Sequence, residues 1–185
     1  MDARVLDAGV EFFHRAFRKP LQISSGAITE ITEARAEVRV RVGTREAVGR
    51  GSVYLSDLWA WPDPNLSHDR RDSILRDVCE RIAFDLDDLC GAEDAHPLEL
   101  GMRLHDSVCN EPPAPGVPCL ALAMCASPFD AATHDGVGVA IGLSAFDFYG
   151  KDWPVPHADG LFETGSACAA VRRPVAASYH RFQRS

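Results

Sequence analysis

The segment "SPFDAATHDGVGVAIG", Ser127 to Gly142, can be read in two ways. Gly136, Gly138 and Gly142 come close to the Gly-x-Gly-x-x-Gly turn that cradles a pyrophosphate, which would place the chain among nucleotide-binding α/β folds. In that turn the third glycine belongs at position 141, which is Ile141, and a strand should lead into it. Instead Ser127 and Pro128 form the N-cap and first-position pair that starts a helix. Phe129, Ala132, Gly136 and Ala140 then recur on one face, so a helix over Phe129–Gly142 is expected, turned toward the core. Gly136 and Gly138 each cost about 1 kcal/mol against alanine inside a helix. Close packing of this helix against a neighbour would explain them.

Working outward, "ARAEVRVRV" (Ala34–Val42) alternates Ala34, Ala36, Val38, Val40 and Val42 with Arg35, Glu37, Arg39 and Arg41, a strand with one buried and one wet face. Gly43, Thr44 and Arg45 read as a hairpin turn into a strand over Glu46–Tyr54, and Val10–Ile23 reads as the strand before. From Ser67 the apolar period lengthens to three and four residues. Ser67 suits an N-cap, Asp69 and Asp72 the first turn, and Gly91 the stop of one helix. A second helix is expected from Pro97, burying Leu98, Met102, Leu104 or His105, and Val108. Pro112, Pro113, Pro115, Gly116 and Pro118 force a loop before "CLALAMCA". The fold class is α+β: a three-stranded antiparallel sheet followed by a small helical bundle over residues 1–150, with an irregular tail over 151–185. In that tail "KDWPVPHADGLF" has two prolines and no helical period. Beyond Glu163 there is no acid, only Arg172, Arg173, Arg181 and Arg184 among charged side chains.

The composition, 46% apolar and 25% charged, is that of a globular domain, and a net charge of -8 argues against nucleic acid or an anionic membrane surface as a partner. No apolar segment approaches the ~20 residues that span a bilayer. The six cysteines include no Cys-x-x-Cys pair and the chain opens without a signal-like apolar run, so reduced thiols and a cytoplasmic location are expected. His14, His68, His96 and His105 show no zinc spacing, and Cys109, Cys119 and Cys125 form no recognisable catalytic dyad. Asp130 and Asp135 lie ~140° apart around a helix and cannot chelate together, whereas Asp130 and His134, at i and i+4, can pair locally. "DLDDL" (Asp85–Leu89) reads as a solvated acidic face in the last turns of the first helix, where the helix dipole disfavours it.

The segment from Ser127 to Gly150 resembles a helix of the mandelate racemase and muconate lactonizing enzyme branch of the enolase superfamily, with the form Ala-x-Asp-x-Ala-x-x-Asp-x-x-Gly-x-x-x-Gly. Asp130, Ala132, Asp135, Gly142 and Gly150 fall on the pattern, and His134 stands where the family often has Trp. The resemblance covers roughly Val10 to Gly150 and identifies the N-terminal capping domain of that superfamily. It implies a two-part enzyme. A (β/α) barrel carries three acids that hold Mg²⁺ and a Lys or His that removes the proton alpha to a substrate carboxylate, and the cap closes over the barrel mouth. "WPVPHADGLF" resembles the linker into that barrel, so 151–185 is expected to be linker and an incomplete barrel start or disordered tail.

A barrel takes ~200 residues and only 35 follow Gly150; Lys19 and Lys151 are the only lysines and cannot form a Lys-x-Lys. The chain as given is therefore expected to be non-catalytic, with no cofactor of its own and Mg confined to full-length relatives. Its partners would be a barrel in trans or a second copy. The alternative is a stand-alone binding or interaction domain. If a barrel is supplied, the resemblance places Gln22, Ser24 and Ser25 in one substrate-facing loop and Trp59 and Trp61 in another. The tryptophans read equally as anchors packing their loop.

Overall fold

The computed structural model of the chain describes residues 2–145 and 147. Three strands, β1 (Ala3–Ile23), β2 (Gly26–Val42) and β3 (Arg45–Leu55), form an antiparallel sheet in the order β1-β2-β3. Five helices follow among the described residues: α1 (Asp57–Ala60), α2 (His68–Phe84), α3 (Leu86–Cys90), α4 (Pro97–Asn110) and α5 (Cys119–Ile141). The order is sheet first, helices after. Ala34, Ala36, Val38 and Val40 point inward, as their alternation requires, and meet Leu75, Ile82, Leu100, Leu104, Leu122 and Phe129 in one core. No helix among the described residues is long and apolar enough to cross a membrane.

β1 begins at Ala3 rather than Val10. Its pairing slips between Val5↔Val40 and Asp7↔Arg39, so Leu6 is an extra residue that reverses the phase of the alternation. Ala3 and Val5 are buried at odd positions, while Ala8, Val10 and Phe12 pack on the core at even ones. A period-2 reading cannot run through such a bulge. Ala3 is also held at the far end by a reciprocal backbone pair with Ala95, just before α4.

The single helix expected from Ser67 to Gly91 is two. Ser67 does cap it, accepting from the Arg70 N–H at 3.2 Å, but the chain turns at Asp85 and restarts as α3. The restart places Asp87 and Asp88 in a first turn, where the dipole favours acids, and so removes the anomaly of an acidic helix end. α4 starts at Pro97 as expected, with His96 as its cap, but its inward face is Pro97, Leu100, Gly101, Leu104 and Val108. Leu98, Met102 and His105 are half-buried.

α5 starts ten residues before Phe129 and carries Pro128 in its interior. Proline lacks the N–H that should bond to the carbonyl four residues back, here Met124. The Ser127 hydroxyl donates to that same carbonyl at 2.8 Å and replaces the missing donor. With this defect satisfied, burial of Ala121, Leu122, Cys125 and Ala126 carries the helix through. Gly142, with φ of 73°, ends it.

α5 crosses the inner face of β3 and β2, and it does so at glycines. A Cβ on Gly49 would lie 2.0 Å from the Ala132 carbonyl oxygen, and one on Gly51 2.1 Å from that of Pro128. Gly136 faces Gly49 from the helix side, as the cost of a mid-helix glycine suggested. Cys109 and Cys119 are joined in a disulfide, Cα atoms 5.3 Å apart, correcting the expectation of reduced thiols at these two positions. The proline-rich loop returns the chain so that the end of α4 meets the start of α5. Cys79, Cys90 and Cys125 are buried and free. Gly150, Cys168 and the tail over 151–185 lie outside the described residues.

Candidate functional site

The two loops singled out in the sequence meet at one end of the sheet. β1 and β2 run on past the core as a hairpin whose turn is Ser24-Ser25, and Gly26, φ 143°, starts the return strand. The Ser25 hydroxyl donates to the Leu58 carbonyl in α1 at 2.9 Å, and a Cβ on Gly26 would touch the Leu58 side chain at 3.2 Å. Gln22, Ser24 and Ser25 are exposed beside this contact. The hairpin tip is therefore seated on the segment that carries the tryptophans.

Those tryptophans part company. Trp59 is 56% exposed and Trp61 only 8%. Trp61 packs into the core and anchors the loop. Trp59, on the free side of α1, keeps its aromatic face available.

Beneath α1, Asp57 is almost fully buried and holds two side chains of α2. The Arg71 Nε donates to one carboxylate oxygen at 2.8 Å, and His68 Nδ1 lies 3.0 Å from the other. Arg71 also donates to the backbone carbonyls of Asp63 and Leu66. One buried ion pair thereby fixes both ends of the loop from Asp57 to Leu66, since a guanidinium presents its five donors in a rigid fork. The other ring nitrogen of His68 lies 3.9 Å from Glu30 on β2, and Glu30 lies 3.6 Å from His14 on β1. Ile28, Glu30, Asp57, His68, Asp69 and Arg71 line a hollow of about 390 Å³ between the hairpin and α2. Sequence reasoning passed over Asp57 and Arg71 and weighed His68 only for zinc spacing. The available signal was a histidine in the position after an N-cap serine, where a cation gains nothing from the helix dipole.

The residues of the family-like motif do structural work elsewhere. Asp130 lies against α4, where a Cβ on Gly101 would be 2.3 Å from its Oδ1. His134 Nδ1 is 3.2 Å and His105 Nε2 3.7 Å from its carboxylate. Burial raises the Asp130 carboxyl, but the two imidazoles overcome this and hold it well below the usual range. Burial likewise lowers His134, and its bond to Asp130 overcomes that and raises it. The local Asp130–His134 pair is thus present and extends to α4. Asp135 accepts from the Arg50 N–H on β3 at 2.9 Å, closing part of an open sheet edge. None of these groups faces the hairpin end.

The outer face of the sheet bears a shallow hollow of about 710 Å³ lined by Glu11, Glu33, Arg35, Glu37 and Arg50. Arg50 bonds Glu37 and Arg35 bonds Glu33, so the hollow is a ladder of satisfied ion pairs. Arg35, then Arg15, hold the Glu33 carboxyl below its usual range. Burial, with the Asp130 charge beside it, pushes the Cys90 thiol up to about 12, an inert core thiol. Among the described residues no group of three or more His, Cys, Asp or Glu side chains is placed to hold a metal ion.

No family model matches the sequence, and no curated protein does. Solved structures do. The chain is similar to an enolase from Bradyrhizobium in complex with magnesium and mandelic acid, at 15% identity and a TM-score of 0.50, over 90% of this chain and 42% of that one. It is also similar to an enolase from alpha proteobacterium BAL199 with bound magnesium, at 13% identity and a TM-score of 0.51, over 79% of this chain and 34% of that one. A mandelate racemase/muconate lactonizing enzyme-like protein from Rubrobacter xylanophilus aligns at 19% identity over 78% of this chain and 33% of that one, with a TM-score of 0.44, too low to bear on the fold. The chain therefore spans well under half the length of these proteins. At such identity the likeness shows a shared fold alone: this chain is built like part of an enolase, with sheet first and helices after.

Proposed function

We propose that residues 1–150 are a substrate-capping lid of an enolase-superfamily enzyme, which closes over the mouth of a (β/α) barrel and supplies walls rather than proton-transfer groups. The observation that carries this is the seating of the Ser24-Ser25 hairpin tip on α1 through the Ser25–Leu58 hydrogen bond, which brings both loops of the expected lid to one rim. Gln22, Ser24 and Ser25 present polar groups there and Trp59 an apolar face, the mixture that orients and encloses a small substrate. The relatives with this fold carry bound magnesium, and one carries a carboxylic acid. By that likeness the full enzyme would hold Mg²⁺ on barrel residues, where the metal would supply charge stabilisation as a carboxylate substrate loses its alpha proton, and the base would belong to the barrel as well. The barrel is either a further part of the same polypeptide or a partner chain.

The test is exchange of the alpha proton of a panel of carboxylates in D₂O with Mg²⁺. The purified 185-residue chain should give no exchange. A complex with its barrel should exchange, and Trp59→Ala in that complex should raise KM or lower kcat without lowering the melting temperature. Exchange by the chain alone would overturn the lid reading. So would a barrel equally active without this domain; a monomeric chain that binds a ligand by itself would instead make it a stand-alone binding domain.

A further inference from the structure

We propose that His68 is a pH-set joint between the two rim loops: protonated, it ties the β1–β2 hairpin through Glu30 to Asp57 beneath α1, and neutral, it releases that tie. The groups facing the imidazole come from every element around it. Asp57 stands at the start of α1 at 3.0 Å, Glu30 on β2 at 3.9 Å, and Asp69 and Arg71 on α2 line the same hollow. His14 on β1 reaches the other side of Glu30 at 3.6 Å.

The asymmetry of the two carboxylates makes this a joint. Asp57 is buried and locked by Arg71, so it is a permanent acceptor that takes the Nδ1–H in either charge state. That leaves Nε2 to decide. In the imidazolium it carries a proton toward Glu30 and the contact is an attractive ion pair; in the neutral ring it carries a lone pair, and two acceptors face each other. Nothing else requires a histidine here. Ser67 already caps α2, and a cation in the first turn opposes the helix dipole.

Glu30 is placed where such a tie matters. It pairs with Ala16 in the last rung before the ladder is interrupted, and Phe17, Arg18, Lys19 and Pro20 then face Thr29 alone before pairing resumes at Leu21↔Ile28. The tip beyond is held by the Ser25–Leu58 bond and the buried Ile28. Loss of the Glu30 tie therefore loosens the tip by degrees and leaves the fold intact. The coupling stands on this geometry alone. Its use in regulating a lid rests on the capping reading, and because the test below needs no barrel, the two can fail separately.

The experiment is amide hydrogen exchange on the full chain between pH 5.5 and 8, corrected for the pH dependence of chemical exchange. Protection of residues 22–28 is expressed relative to residues 34–40 of β2, which also reports whether each variant is folded. As pH rises, relative protection of the tip should fall roughly two- to fivefold, the range that a half-exposed ion pair supports. Glu30→Gln should abolish the fall, His68→Lys should keep protection high to pH 8, and His14→Gln should leave the fall in place. A flat wild-type profile, a response surviving in Glu30→Gln, or one lost in His14→Gln would overturn the proposal. Should His68→Lys fail to fold, the Glu30→Gln comparison decides.

Discussion

Replacing Gly49 by alanine tests the central packing of the domain. An ideal Cβ there lies 2.0 Å from the Ala132 carbonyl oxygen and 2.1 Å from the Gly136 amide nitrogen, both backbone atoms of α5 that no rotamer change can move. To restore ordinary contact, α5 must retreat from β3 by roughly 1 Å or more, loosening Val38, Val40, Phe129, Ala132 and Val137. The cost should be at least about 3 kcal/mol, the upper end for overpacking, or roughly 6–12 °C in Tm for a domain of this size. Gly51→Ala, at 2.1 Å from the Pro128 oxygen, should be similar. Gly136→Ala meets Gly49 N and the Val40 methyl at 3.0 Å and regains helix propensity, so a loss of only about 1 kcal/mol is expected. Gly9→Ala, with nothing within 4 Å, should be neutral or stabilise by about 0.5 kcal/mol. Urea denaturation followed by far-UV circular dichroism gives the four values. If Gly49→Ala unfolds within about 1 kcal/mol of wild type, α5 does not lie on β3 in this register.

Ser127→Ala should cost about 1–2 kcal/mol by orphaning the Met124 carbonyl, and in a Pro128→Ala background, where a backbone N–H is restored, the same change should cost much less; a double-mutant cycle by denaturation reads the coupling. The Asp130–His134 pair should impose a two-sided pH profile. Asp130 is lowered, so its contribution is present above the unfolded carboxyl value near 4 and lost as pH falls through the folded one; His134 is raised, so its contribution is full below about 6.5 and lost as pH rises through its folded value. The difference in Tm between wild type and Asp130→Asn should therefore peak between about pH 4 and 6.5, and a pH-independent difference would refute the pairing. Trp61→Ala should destabilise by about 3–5 kcal/mol while Trp59→Ala stays within about 0.5 kcal/mol, measured by thermal melts.

Much of the candidate site escaped the sequence. The position of the two loops came from the family resemblance, whereas Asp57, His68 and Arg71 stand 14 residues apart at most and become a unit only when α2 folds back under α1. The glycines of β3 did leave a trace. Ala47, Gly49 and Gly51 alternate on the inward face, and such small residues opposite Val40, Val38 and Ala36 mark a place where a helix lies unusually close.

What the sequence determined by itself is what local hydrogen bonding and one-sided burial write into it. The alternation of Ala34–Val42, the Ser67 cap, Pro97 at the head of α4 and Gly142 at the end of α5 each follow from a rule spanning a few residues, and each is found in place. Tertiary structure decided what depends on partners far along the chain. The Leu6 bulge reverses which residues of β1 face inward. Ser127 and the core together carry α5 through a proline that would end an isolated helix. Trp61 is buried while Trp59, two residues away, is not. Asp130 has the spacing of a chemical residue and becomes a structural one because α4 brings Gly101 and His105 against it, a juxtaposition that no periodicity within a single element encodes.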